Sequence, residues 1–361
     1  MNLPEAPGEF AGELLAWFEG AARPLPWRVM PADRARGVRP DPYGVWLSEI
    51  MLQQTTIAHG TRYWLDFTRR WPNVQALAGA EDSAVMAAWA GLGYYARARN
   101  LLKCARQVAA SGGRFPQTAR GLQALPGIGP YTAGAIAAIA FGQRAPAVDG
   151  NVDRVMARLL ALEGPWPEQK KQIADSIERL VPADRPGEFA EAMMDLGATI
   201  CTPKRANCLV CPVTRFCAAR RRGGAERYPI KPAKAKKPVR RGAVLVLEAG
   251  GRVRLETRPE KGLLGGMLAL PTTEWTGQAS DAGAGVNALA GALGADRSTL
   301  SRIGEVRHVF THFHLTLDVW RAGAPAADGG DWRAPEAVSG LPSVFAKAFR
   351  LAYPSSPISA R

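Results

Sequence analysis

Leu125-Pro-Gly-Ile-Gly-Pro-Tyr-Thr-Ala133, running on to Val148-Asp-Gly-Asn-Val152, is the stretch on which the fold turns. It reads as a tight glycine turn between two helices, followed by a second turn that carries a carboxylate. With Gly127 and Gly129 in place, the turn can aim backbone N–H groups outward at the mouth of a helix. That makes a concavity suited to one phosphate of a nucleic acid. The same residues also make a plain helix–turn–helix corner in which glycine serves as C-cap. The stretch alone does not separate the two readings.

Working outward, 361 residues are too many for one ordinary core, and two or three domains are expected. Hydrophobic content of 47% with 22% charged residues marks a folded chain. The apolar run beside the turn, Ala133–Phe141, is far shorter than the roughly 20 residues that span a bilayer. The opening Met1-Asn-Leu-Pro-Glu-Ala-Pro7 lacks a basic region followed by an apolar core, so no signal peptide is read. The expectation is a soluble, cytoplasmic protein with no membrane partner. A formal charge of +14 asks for a polyanionic partner, and thirteen Lys/Arg against one acid, Glu226, lie between Cys201 and Arg241. A solvated basic linker accounts for part of that run.

Five cysteines in a chain without an export signal argue against a disulfide framework. Four of them, Cys201, Cys208, Cys211 and Cys217, follow the spacing C-x6-C-x2-C-x5-C. Thiolates so close in a loop-rich basic segment repel one another unless a metal holds them. Zinc sites usually pair two short knuckles, and only Cys208 and Cys211 form one, so the spacing favours a [4Fe–4S] cluster over zinc. No G-x-G-x-x-G fingerprint accompanies it, and a structural role in pinning the basic loop is the better reading. Cys104, alone in the helical stretch Ala96–Ala110, reads as a buried small hydrophobe.

Two carboxylates stand out. Glu49 lies among Trp46, Leu47, Ile50, Met51 and Leu52 on a helix that starts near Pro42, with Gln53 one turn later on the same face. In such surroundings a carboxyl loses solvation and becomes able to donate a proton near neutral pH. The plain alternative is a surface glutamate in a first helical turn. Asp149 opens a helix read over Val152–Leu162, where Asp is a preferred N-cap. It also reads as a fixed anion held by helix N–H groups. One protonated and one ionised carboxyl would divide acid and electrostatic work.

These features together resemble the adenine DNA glycosylases of the MutY family, from about Trp17 to the C-terminus. The motifs are Leu25-Pro-Trp-Arg28, Trp46-Leu-Ser-Glu-Ile-Met-Leu-Gln-Gln-Thr55, Gly91-Leu-Gly-Tyr-Tyr-Ala-Arg97, Leu125–Ala133, Val148–Val152, Ala192-Met-Met-Asp-Leu-Gly197 and the four cysteines. The wider group, the helix-hairpin-helix glycosylases, includes endonuclease III. Lyase-capable members place a nucleophilic Lys where this chain has Tyr131, so a monofunctional enzyme is implied. After the cysteines, Ala243-Val-Leu-Val-Leu247 and Arg258–Pro271 resemble the Nudix fold. The Glu-rich magnesium helix is missing, since Gly277–Leu293 has the single acid Asp281.

The resemblance implies a multidomain chain: an all-α helix-hairpin-helix body with a [4Fe–4S] loop, then a small α/β (α+β) Nudix-like domain. The expected division is 1–28 plus 149–225 as cluster lobe, 29–148 as helical lobe, 226–241 as linker and 242–361 as the second domain. It implies that Glu49 protonates adenine, Asp149 stabilises the oxocarbenium ion and Tyr131 supports them. Arg28, Gln53, Gln54, Tyr94, Gly127, Gly129 and Glu191 would hold DNA or base, with Gln54 and Tyr94 entering the base stack. Phe310-Thr-His312 would read 8-oxoguanine, with Thr311 standing where the family more often has Ser. The implied partner is duplex DNA with adenine opposite 8-oxoguanine or guanine, bound by a monomer. The link 29–41, with Arg34, Arg36 and Arg39, is longer than usual in the family, and it reads either as a basic loop near DNA or as an inert insertion.

Overall fold

The structure, a computed structural model, describes residues 7–230, 236–259, 262–277, 282–325 and 330–355. Contacts divide the chain into two compact units, Met1–Ala233 and Lys234–Arg361. Residues 231–235 of the expected linker, and Asp281, lie outside the described residues.

The first unit is helical. Its N-terminal part runs through α1 (Pro7–Ala21), α2 (Pro31–Ala35), α3 (Pro42–Met51), α4 (Ile57–Arg70), α5 (Val74–Ala78), α6 (Asp82–Trp89) and α7 (Ala96–Ala110). It continues with α8 (Ala119–Gln123), α9 (Pro130–Phe141), α10 (Gly150–Leu159), α11 (Trp166–Leu180), α12 (Pro186–Thr199) and α13 (Ala218–Arg221). Two cores form. One gathers Trp46, Phe67, Trp89 and Ile136 from α3 to α9; the other gathers Phe10, Phe18, Met156 and Phe189 from α1 and α10 to α12. Full burial of each such side chain contributes about 1.5–3 kcal/mol. Helix α12 serves both cores, with Ala190 in the first and Phe189 and Met193 in the second.

Two helices that carry the site are buried almost all round. Asp41 caps α3 by accepting from Tyr43 N and Gly44 N, with Pro42 at the first helical position, and every residue from Tyr43 to Met51 is buried. Helix α9 opens on Gly129-Pro130 and closes at Gly142, which adopts φ +66°. Its small residues admit close neighbours: a Cβ at Gly134 would fall 2.0 Å from Pro146 O.

The second unit is a sheet between helices. Strands β1 (Val239–Ala249), β2 (Arg252–Thr257), β3 (Leu268–Ala269), β4 (Ser301–Val309) and β5 (His314–Gly323) lie in the order β3-β2-β1-β5-β4, and β6 (Asp331–Arg333) pairs with β2. Strand β1 is parallel to β5 and antiparallel to β2. Its Ala243, Leu245 and Leu247 face α14 (Ala282–Ala292), while Val244 and Val246 join Phe345 and Phe349 of α15 (Ser343–Ala352). Coverage on both faces explains the continuous apolar run that marks this strand in the sequence. No described helix is long and apolar enough to cross a membrane.

Candidate active site

A cleft of about 820 Å³ in the first unit collects Arg28, Glu49, Gln53, Gln54, Tyr131, Asp149 and Glu191. These seven residues come from five places: the loop before α2, α3 and the turn after it, the first turn of α9, the N-cap of α10, and α12. Among them Glu49 is 8% exposed. Burial pushes its carboxyl up to about 7, against a hydrogen bond that the Tyr131 hydroxyl donates to it; Asp149 and Glu191 push it further, and Arg28 opposes them. Burial, Glu49 and Asp149 together hold the Tyr131 phenol well above its usual range. An acid that keeps its proton to neutrality is therefore fixed in place by a donor that does not ionise.

Asp149 is the N-cap of α10, which begins at Gly150 and ends at Leu159, shorter at its far end than the sequence suggests. Its Oδ1 accepts from Asn151 N at 2.9 Å and Val152 N at 2.8 Å, and its Oδ2 accepts from Asn151 Nδ2 at 2.9 Å. Asn151 Oδ1 in turn accepts from Arg154, whose Nε donates to Cys201 O at 2.8 Å. Carboxylate and cysteine loop are thus joined by a short polar chain.

Behind the cleft lies an ion cluster that the sequence reading largely missed. Asp195 is fully buried and accepts from Arg23 N, Nε and Nη2 and from Arg28 Nη1 and Nη2, at 2.6–3.1 Å. Burial alone would raise its carboxyl; the two guanidiniums more than offset that and hold it below the usual range. Glu191, one turn earlier on α12, faces Arg28 Nε at 3.3 Å and Arg34 Nη2 at 2.9 Å. Breaking one partner of such a buried set costs about 3–5 kcal/mol. The available signal was the helical spacing of Glu188, Glu191 and Asp195 in an otherwise apolar helix.

Gln53 and Gln54 depart from expectation, because α3 stops at Met51 and both lie in the turn beyond it. Gln53 Nε2 donates to Thr132 Oγ1 at 3.3 Å, and Gln54 adopts φ +57°. Tyr94, 51% exposed, adopts φ +49°. Two non-glycine residues in the left-handed region are conformations held by their surroundings. Arg97 does some of the holding: it donates to Ile50 O at 3.0 Å and to Leu92 O at 2.9 Å, and lies over the Tyr94 ring. At the hairpin, Gly127 takes φ +77°, and a Cβ there would meet Asn100 Cβ at 2.8 Å. Gly129, the N-cap of α9, has φ −84° and supplies no side-chain cap, which leaves the first N–H groups of the helix open.

None of the five cysteines is paired in a disulfide, and Cys104 is buried in α7. Burial raises the thiols of Cys208, Cys211 and Cys217, and the neighbouring Cys201 raises each of them further. Arg158, buried in α10, donates to Cys201 Sγ at 3.2 Å and to the carbonyls of Thr202, Pro203 and Tyr228. A buried guanidinium that donates to Cys201 Sγ and lies within electrostatic reach of Cys208 fits an anionic thiolate-bound group. Among the described residues, no three His, Cys, Asp or Glu side chains are gathered closely enough to hold a single metal ion.

In the second unit, Phe310, Thr311 and His312 form the turn between β4 and β5. Thr311 and His312 are exposed, whereas Phe310 stacks on Trp275 at 6.0 Å and against Phe313 at 4.9 Å.

The pattern of HhH-GPD superfamily base excision DNA repair proteins matches residues 47–183, and that of the NUDIX domain matches residues 242–351. The adenine DNA glycosylase of Homo sapiens is 37% identical over 365 residues, covering 86% of this chain and 66% of that protein. That of Rattus norvegicus is 36% identical, covering 86% of this chain and 70% of that protein. This chain therefore spans about two thirds of the length of these relatives. A thermostable thymine-DNA glycosylase structure superposes with a TM-score of 0.53 at 28% identity, covering 61% of this chain and 98% of that one.

Proposed function

The chain belongs to the adenine DNA glycosylase family, and on that premise we propose that it is a monofunctional DNA glycosylase of base excision repair. It releases adenine mispaired with 8-oxoguanine or guanine from intracellular duplex DNA and works as a monomer. The observation that carries this reading is Glu49, protonated to about pH 7 and hydrogen-bonded to Tyr131 in the cleft it shares with Asp149.

A base within the duplex cannot reach that cleft, so the nucleotide is flipped out, with Gln54 and Tyr94 filling the gap. Glu191 and Arg28 hold the base. Glu49 gives its proton to adenine N7 while the C1′–N9 bond breaks, and the bonding pair leaves with N9 as neutral adenine. Positive charge develops at C1′, and the fixed Asp149 carboxylate stabilises it until water adds there and loses a proton. With Tyr131 at the hairpin in place of an amine, no Schiff base forms and the strand stays intact. Gly127 and Gly129 present the hairpin N–H groups to a phosphate. Cys201, Cys208, Cys211 and Cys217 would hold a [4Fe–4S] cluster, whose contribution is to pin the basic loop against DNA. In the second unit, Phe310, Thr311 and His312 read the lesion, Thr311 through its hydroxyl.

Single-turnover cleavage of duplexes bearing adenine opposite 8-oxoguanine, guanine, thymine or cytosine tests this. Strand breaks for the first two only, and only after alkali, are expected. Breaks without alkali, or a borohydride-trapped adduct, would show a lyase; no release from any duplex would end the reading.

A further inference from the structure

Residues 29–41 link Arg28 to α3, and one of their three arginines does not behave as surface charge. Pro31 opens the single turn of α2, from which Arg34 reaches α12. Its Nη2 lies 2.9 Å from Glu191 Oε2, and its Nε donates to Val29 O at 3.2 Å. Arg28 Nε lies 3.3 Å from the other oxygen, Oε1, so each oxygen of this buried carboxylate faces its own guanidinium. Arg34 runs past Gly187, one turn upstream on α12, where α9 packs close: a Cβ there would fall 2.6 Å from Ala138 O, 2.9 Å from Ile139 Cα and 3.1 Å from Arg34 Nη1. Arg34 keeps 14% of its side chain exposed, whereas Arg36, two residues on, keeps 70% and pairs with Asp33 at the surface. Withdrawing a guanidinium from water to meet a carboxylate is worth its desolvation only where the pairing is well formed.

We infer that Arg34 is a positioning residue of the base-binding cleft, which fixes the rotation of the Glu191 carboxylate and keeps it an anion, so that the cleft's proton rests on Glu49. This rests on the glycosylase reading above. Glu191 is faced by Arg28, Arg34, Asp195, Glu188 and Glu49, and Glu49 by Tyr131, Asp149, Glu191 and Arg28. Burial already holds the Glu191 carboxyl above its usual range against the two guanidiniums; without Arg34 one of them is lost while the surrounding carboxylates remain, and Glu191 takes up a proton at higher pH. Glu49 then loses an anionic neighbour and releases its own proton at lower pH. The insertion is on this account part of the catalytic apparatus, holding a group that touches the base without touching the base itself.

The test is single-turnover adenine release from duplex with adenine opposite 8-oxoguanine, followed from about pH 5.5 to 9, for wild type, Arg34→Met and Arg34→Lys. Duplex binding is measured alongside. Arg34→Met is expected to slow release about 10- to 100-fold with binding changed about threefold or less. Its basic limb should move down by about half a unit or more. Arg34→Lys restores the limb and part of the rate. A limb that stays in place or moves up in Arg34→Met overturns the inference, as does a wild-type rate in Arg34→Lys should the Met variant not fold. Were the wild type itself to release no adenine, the glycosylase reading would fall and the pair would be read by melting. The Arg34→Met loss in Tm should then change between about pH 5 and 8 and lose that change in a Glu191→Gln background; persistence there overturns the pairing.

Discussion

Glu49 owes its chemistry to where a buried helix and a neighbouring phenol put it. Since proton donation requires the acid form, excision is expected to be fastest below about pH 7 and to fall about tenfold per unit above it. Glu49→Gln should bind the duplex as wild type does and lose about 10²–10⁴-fold in single-turnover rate, which a filter-binding and quench-flow pair of measurements would read. The same shift has a stability side. The folded value, about 7, lies above the ordinary 4.5, so between those pH values the unfolded chain has given up a proton that the native protein keeps. Stability is fully present below pH 4.5 and is lost as pH rises to about 7, by about 3 kcal/mol for this group. Urea melts at either end of that window should show Glu49→Gln gaining on wild type as pH rises. Asp149 separates two duties instead. Asn is as good an N-cap as Asp, so Asp149→Asn should cost about 1 kcal/mol or less while abolishing release. A variant that kept both stability and activity would leave Asp149 a cap alone.

At the scale of elements, legibility followed how local the determinants are. Helix α7 spans the expected Ala96–Ala110, and β1 contains the Ala243–Leu247 run, because the apolar pattern that marks each element lies within its own residues. The start of α3 was legible in Asp41-Pro42; its end at Met51 was not, as nothing between Leu52 and Thr55 breaks a helix by composition, and Gln53 is held across 79 positions by Thr132. The Arg34–Glu191 pair spans 157 positions, a distance over which charge alone names no partner. The two hairpin glycines, alike in sequence, differ in the structure. Gly127→Ala would place a side chain at φ +77° against Asn100 and is expected to cost about 1–2 kcal/mol or more, weakening duplex binding as the turn N–H groups lose their aim. Gly129→Ala, at φ −84° with open space, should stay within about 0.5 kcal/mol of wild type. Thermal melts reversing that order would show that the turn is not held as described.

Over the whole molecule, the residues proposed for chemistry and those proposed for lesion reading fall in different units. Every residue lining the cleft lies between Arg23 and Met194, and Cys201, Cys208, Cys211 and Cys217 lie before Ala233, so the first unit contains the proposed acid, anion, base-holding pair and cysteine loop. Its two hydrophobic cores draw no residue from the second unit, whose sheet is covered by its own helices α14 and α15. A chain ending at Ala233 should therefore fold and, on the proposed reading, carry the colour of an iron–sulfur cluster. It should release adenine opposite guanine at a rate near that of the full chain, since every residue proposed to touch the base lies in the first unit. What it loses is the turn carrying Phe310, Thr311 and His312. Discrimination rests on hydrogen bonds to the lesion, each worth about 1–3 kcal/mol when its partner is left unpaired, so the rate advantage of 8-oxoguanine over guanine should shrink by about 10-fold or more. Single-turnover rates on the two duplexes, full chain against truncated, give that ratio directly. An unchanged ratio would place lesion reading in the helical unit, and a truncated chain inactive on both duplexes though folded would make the second unit part of the catalytic machinery.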